Sequence, residues 1–160
     1  MKRPKVLFIG LDEIIITTRS GKSMSQGIWD LKFEMSTLRK IKEIKPEYIF
    51  IETNQYGIGL ISTEEEFEAK LDYVTACIKA FAKHSELKAV DSIYCSSIEE
   101  NDPFKKPNYG MLEYMIHYYK LYIDKESILM VGNCQTDEQT AKSFNINYLD
   151  IKEFLSIEFI

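Results

Sequence analysis

Side chains able to handle a charged ligand fall in short polar clusters, each placed after an apolar run or in the loop that follows one. Asp12 and Glu13 follow KVLFIGL, Thr53, Asn54 and Gln55 follow YIFIE, Lys106 stands before Pro107 in FKKPNYGM, and Asn133 and Asp137 follow ILMVG. A carboxylate can move a proton, a hydroxyl or amide can donate to an anion, and a lysine can neutralise one. Each residue also has a plainer reading in isolation. A lone lysine is usually a solvated loop residue, a strand-end threonine usually caps local backbone, and Asn133 and Asp137 would serve as polar residues ahead of a helix. Their shared placement along the chain raises them above those readings.

The elements that must position them alternate. Apolar runs at 5–11, 48–53, 89–95 and 128–132 suit parallel strands covered on both faces. Between them, Leu31, Met35, Leu38 and Ile41, then Phe67, Leu71, Val74, Ile78 and Phe81, then Leu112, Met115, Tyr119 and Tyr122 keep helical spacing. Thr63 with Glu66, and Thr136 with Gln139, fit capping boxes, and Pro46 closes the first helical region. A short last strand at 146–149 and a terminal helix after Asp150 complete the order. The expectation is an α/β fold: a single Rossmann-like, doubly wound parallel sheet of about five strands, with residues 1–160 as one domain. In such sheets ligands bind outside the carboxyl ends of the strands, where the polar clusters lie. The segment 14–30 after the first strand exceeds an ordinary βα loop and is expected to form a functional flap, with no large cap domain.

Composition narrows the function classes. Twenty-five acidic against twenty basic residues give a formal charge of −5, so no broad basic surface offers itself to nucleic acid and any phosphate contact must be local. The three cysteines show no CxxC or Cys/His ligand spacing, which argues against a disulfide framework or a zinc site. The basic start MKRPK leads into an apolar run too short for a signal core or a span, so a cytoplasmic location without membrane association is expected. No GxxxxGK[ST] run occurs, which excludes a P-loop kinase half within these residues. Gly57 and Gly59 read as backbone-geometry residues, His84 and His117 as ordinary helix-face residues, and the tyrosines from Tyr109 to Tyr122 as packing rather than a base-stacking platform.

In chain order, GLDEIIITTRSGK, TNQYGIG, FKKPNYGM and VGNCQTD resemble the four motifs of haloacid dehalogenase (HAD) phosphatases, subclass III. ITTRSGK followed by Trp29 and Asp30 looks like the flap of the polynucleotide kinase/phosphatase 3′-phosphatase branch, and the likeness runs from Val6 to near Leu149. The resemblance implies hydrolysis of a phosphate monoester through a phospho-aspartyl intermediate with one magnesium ion. It assigns Asp12 as proton donor, Thr53 and Lys106 as phosphate-holding groups, and Asn54, Gln55, Arg19, Ser20 and Lys22 to the substrate. It places the metal on the Asp12 carbonyl and on positions 133 and 137. Arg19 and Lys22 also have a plain reading as turn charges around Gly21.

This chain departs from the pattern at the position of the attacking aspartate, which is Gly10, and at a metal aspartate, which is Asn133. Glycine offers neither a nucleophile nor a ligand, and asparagine brings no charge, so magnesium should be held weakly at Asp12, Asn133 and Asp137. Loss of a covalent nucleophile costs other hydrolases on the order of 10⁶ in rate, roughly 8 kcal/mol of barrier. Three functional readings follow. The first is an impaired 3′-phosphatase homologue acting as a phosphate- or nucleic-acid-end-binding or assembly module. The second is an active magnesium-dependent phosphatase with a site rewired around Asp12, Glu13 and Asp137, and the third is a purely structural domain with a protein partner.

Overall fold

The computed structural model describes residues 1–160. Strands β1 (Val6–Gly10), β4 (Tyr48–Asn54), β5 (Ala89–Cys95), β6 (Ile128–Gly132) and β7 (Asn147–Asp150) form one parallel sheet in the order β5-β4-β1-β6-β7. The apolar runs of β1 and β6 are buried along their whole length because helices cover both faces. Successive side chains alternate between those faces. Leu7, Ile9, Ile51 and Val131 pack with residues of α1 (Met35–Ile44), α2 (Glu64–Phe81) and α5 (Ile151–Ser156). Val6, Phe8, Phe50 and Met130 pack with α3 (Gly110–Tyr118) and α4 (Gln135–Phe144). Burying each large apolar side chain contributes roughly 1.5–3 kcal/mol. No helix is long and apolar enough to cross a membrane.

Two consequences of this layering matter for the site. Gly10 is the register partner of Glu52, so the two residues share the α3/α4 face at the carboxyl end of the sheet. Gly132 ends β6 on that same face, and a Cβ there would lie 2.4 Å from the Cβ of Asp137. Only glycine lets α4 bring Asp137 against the strand end.

The flap forms as expected, as a hairpin of β2 (Ile16–Thr18) and β3 (Leu31–Phe33) standing off the sheet. Four details differ from the sequence reading. Leu31 belongs to β3 rather than to the first helix, because the 31, 35, 38 spacing spans a strand end and a helix start, with Glu34 at the helix N-cap. The second capping box does not form. Helix α4 starts at Gln135 with Cys134 as N-cap, which puts Thr136 inside the first turn. Helix α3 stops at Tyr118, and Lys120 takes a left-handed φ of 52, so Tyr122 projects into solvent instead of continuing a helical face. The last strand is displaced by one residue to Asn147–Asp150. The Thr63/Glu66 box is present: Glu66 N donates to Thr63 Oγ1 at 3.1 Å and Thr63 N donates to Glu66 Oε2 at 2.9 Å.

Candidate active site

At the carboxyl ends of β1, β4 and β6 a cleft of about 230 Å³ is lined by Gly10, Asp12, Thr53, Asn54, Lys106, Asn133 and Asp137 among others. The structure therefore gathers most of the motif residues in one place. Lys106, only 7% exposed, reaches in from the loop before α3. Its Nζ lies 2.6 Å from Asp137 Oδ1 and 2.8 Å from Glu52 Oε2. Burial opposes the lysine's charge, but Glu52 and Asp137 outweigh it and hold the ammonium above its ordinary pKa. Burial likewise opposes Asp137, yet Lys106 and the Asn133 amide keep its carboxyl below the usual range.

Glu52 behaves differently. Nζ lies 2.8 Å from Oε2, and this lysine is the one cation that faces the carboxylate of the fully buried residue, with no neutral donor beside it. Burial dominates and pushes its pKa up to about 7 against the pull of Lys106, with Asp137 adding repulsion. The sequence reading passed over Glu52 as part of an apolar strand. The available signal was a glutamate one residue before Thr53 in a run otherwise covered on both faces, where a charge needs a partner.

The first-strand position carries no side chain. A Cβ on Gly10 would lie 2.7 Å from Ile14 Cδ1, the terminal atom of a side chain that would have to turn aside to admit it. Asp12, itself exposed, accepts a 2.6 Å hydrogen bond at Oδ2 from Gln55 Nε2, which also donates to Thr53 Oγ1 at 2.9 Å. Thr53 Oγ1 makes only a long 3.4 Å contact to the Asn54 carbonyl as donor. Asn54 is tied to the lysine loop: its Nδ2 donates to the Lys106 carbonyl at 3.2 Å and its Oδ1 accepts from Lys106 N at 3.1 Å.

The flap residues are held mainly by their own hairpin. Ser20 N and Oγ donate to Asp30 at 2.7 and 2.8 Å, and Gln26 N donates to Asp30 at 2.9 Å. These donors, the Gln26 amide foremost, hold the Asp30 carboxyl below its ordinary value. Arg19 Nε donates to the Leu31 carbonyl at 3.0 Å, and Lys22 Nζ reaches Gln26 Oε1 at 3.3 Å. Lys22 shares a groove of about 350 Å³ with Asp12, whereas Arg19 and Ser20 line neither that groove nor the cleft at Lys106.

Whether these groups fit the magnesium ion implied by the resemblance can be read from the donors. Asn133 Nδ2 lies 3.3 Å from the Asp12 carbonyl oxygen. That oxygen can only accept, so the amide presents its N–H rather than an oxygen toward Asp12. Asp137 spends Oδ1 on Lys106 and Oδ2 on the Asn133 backbone amide at 3.1 Å. No three carboxylate, imidazole or thiolate side chains converge on one point. A hard dication requires a set of anionic oxygens, and this arrangement does not fit one.

The fold and the order of the site residues define a phosphatase-type domain of the HAD superfamily. Solved structures agree on the fold. D,D-heptose 1,7-bisphosphate phosphatase from B. bronchiseptica, complexed with magnesium and phosphate, is similar over 92% of this chain and 79% of its own, with a TM-score of 0.69 at 15% identity. A HAD-superfamily hydrolase from Ehrlichia chaffeensis is similar over 94% of this chain and 87% of its own, with a TM-score of 0.57 at 10% identity. No curated protein matches by sequence. The model of the polynucleotide kinase 3 phosphatase family matches residues 5–159, and the chain belongs to that family.

Proposed function

We propose that this chain is a polynucleotide 3′-phosphatase homologue that has lost phosphoryl transfer and serves as a module binding a phosphate-bearing nucleic-acid end. The observation that carries this reading is the glycine at the nucleophile position: Gly10 lines the cleft and supplies no attacking oxygen. The Asn133 amide at the Asp12 carbonyl supports it from the metal side, because a neutral N–H donor stands at a position where the resemblance implies a metal-binding oxygen. Asp12 keeps its family role only in form. An acid that protonates a leaving oxygen accelerates nothing unless another group attacks phosphorus.

Binding without cleavage rests on donors at the cleft rim. Thr53 and Lys106 line the cleft, the Thr53 hydroxyl making only a long contact of its own as donor, and Lys22 shares the adjoining groove with Asp12. Lys106 already carries two carboxylates, so a phosphate would meet it only as one partner among three. The test is titration of the chain with single-stranded DNA ending in 3′-phosphate against the same strand ending in 3′-hydroxyl, at low and moderate salt. Tighter binding of the phosphorylated end, with no phosphate released, supports the module. Equal binding of the two ends would remove it in favour of a domain that contacts only protein.

A further inference from the structure

The cleft at Lys106 has one aromatic side chain in its lining, Tyr56, in the turn that follows β4. Two contacts fix its ring. Asn54 Nδ2 donates to the Tyr56 hydroxyl at 2.7 Å and to the Lys106 carbonyl at 3.2 Å, so the hydroxyl end of the ring lies beside the lysine loop. Lys105 Nζ stands 5.3 Å from the ring centroid and is itself held by the Ile98 carbonyl at 2.8 Å. That ammonium covers one face. Tyr56 is nevertheless 46% exposed, and with one face covered and the hydroxyl tied, the exposure belongs to the opposite face and the ring edge.

A single exposed tyrosine on a turn is ordinary in itself. Tyr56 differs because its open face borders the cleft and the ring is already immobilised, so a flat partner stacking on it costs little further ordering. The tyrosines of α3 do not compete for this role, since Tyr114 and Tyr118 stack on each other with centroids 5.8 Å apart and neither lines the cleft. A chain of net charge −5 has no broad basic surface with which to hold a strand, so an end seated here needs a contact other than phosphate. Base–aromatic stacking is such a contact. It tolerates any base, because each has a π-face, and it changes affinity on the order of tenfold.

We propose that Tyr56 recognises the nucleoside of the bound end: the terminal base of a single strand stacks on the open face of its ring while the 3′-phosphate meets the cleft at Thr53 and Lys106. The inference rests on the reading of this cleft as a nucleic-acid-end site and adds the contact that reads the nucleobase. Tyr56 touches the ligand, whereas Asn54 and Lys105 are positioning residues that hold the ring. Because the contact is to a π-face, it separates an end that carries a base from one that lacks it and does not separate the four bases from one another.

Fluorescence anisotropy follows binding of the full chain to 5′-labelled single strands that end in a nucleoside 3′-phosphate, in an abasic 3′-phosphate, or in a 3′-hydroxyl. The parent should bind the base-bearing 3′-phosphate about tenfold more tightly than the abasic one. Tyr56→Leu should abolish that difference, and Tyr56→Phe and Tyr56→Trp should keep it. Tyr122→Ala, at a tyrosine 98% exposed beyond the end of α3, should leave it unchanged. A base preference lost in Tyr56→Leu and kept in Tyr56→Phe is a pattern that a merely structural side chain does not produce. Equal binding of base-bearing and abasic ends by the parent, or a base preference that survives Tyr56→Leu, overturns the stacking contact; the end-binding reading then stands if the 3′-phosphate still binds more tightly than the 3′-hydroxyl. Equal binding of the 3′-phosphate and 3′-hydroxyl strands removes the end-binding reading, and this inference with it.

Discussion

Replacing Glu52 by glutamine should make the protein more stable at neutral and alkaline pH and leave it nearly unchanged in acid. Glu52 is fully buried, and burial lifts its pKa from an ordinary 4.5 to about 7. The folded state therefore holds this proton more tightly than the unfolded chain does. Below about pH 4.5 both states are protonated and the residue costs little. As pH rises from there to 7 the unfolded chain ionises first, so folding stability falls, and above 7 the loss is complete. Two and a half pH units at about 1.4 kcal/mol each give a loss of about 3 kcal/mol, with burial as its source. Glutamine has the same shape and no charge, and Lys106 keeps Asp137 at 2.6 Å. Urea unfolding of both proteins at pH 4.5, 6, 7 and 8 reads the effect. The expected result is a difference that opens in favour of the variant between pH 4.5 and 7 and then stays level. A variant less stable than the parent at pH 8 would mean that the Lys106 ion pair outweighs desolvation, and the description of this cluster would be wrong.

Gly132→Ala places a Cβ 2.4 Å from the Asp137 Cβ and should cost roughly 2–3 kcal/mol in urea unfolding; a cost near zero would show that α4 can shift away. Asp30→Asn removes acceptor capacity from the flap, so hydrogen exchange at the Ser20 and Gln26 amides should quicken while the sheet amides hold their protection. In the parent the same carboxyl lies below its ordinary pKa, so flap protection should be complete above the usual carboxylate range and lost as pH falls through the depressed value. Asn133→Asp should place a carboxylate against the Asp12 carbonyl, trading one weak hydrogen bond for repulsion, and any magnesium affinity it creates should appear by calorimetry as a difference from the parent.

The alternation of apolar runs with helical spacing made the parallel sheet legible from residues alone, because strands covered on both faces admit few polar positions. The cleft was legible for a related reason. A doubly wound sheet exposes its functional groups at the carboxyl ends of strands, and Asp12, Thr53, Lys106 and Asp137 all lie there. What escaped the reading depends on contacts between distant residues. Glu52 meets Lys106 across more than fifty residues, and its pKa follows from burial set against the pull of that lysine, which no spacing encodes. Ile14 is an ordinary isoleucine in sequence, and only the turn after β1, with Glu13 at a left-handed φ of 59, folds it back beside Gly10. Leu31 misled because its spacing to Met35 and Leu38 fits a helix, whereas the hairpin partner that makes it a strand lies in β2, where it pairs with Thr18.

Phosphate release from a 3′-phosphorylated oligonucleotide in magnesium tests the central claim most directly when the parent chain is run beside a restored one. Restoration needs two changes: Gly10→Asp for the attacking carboxylate and Asn133→Asp for the metal, with Ile14 Cδ1 turning aside to admit the new side chain. The account predicts no magnesium-dependent release by the parent and release by the double variant. Turnover by the unaltered chain that disappears in Asp12→Asn would contradict it.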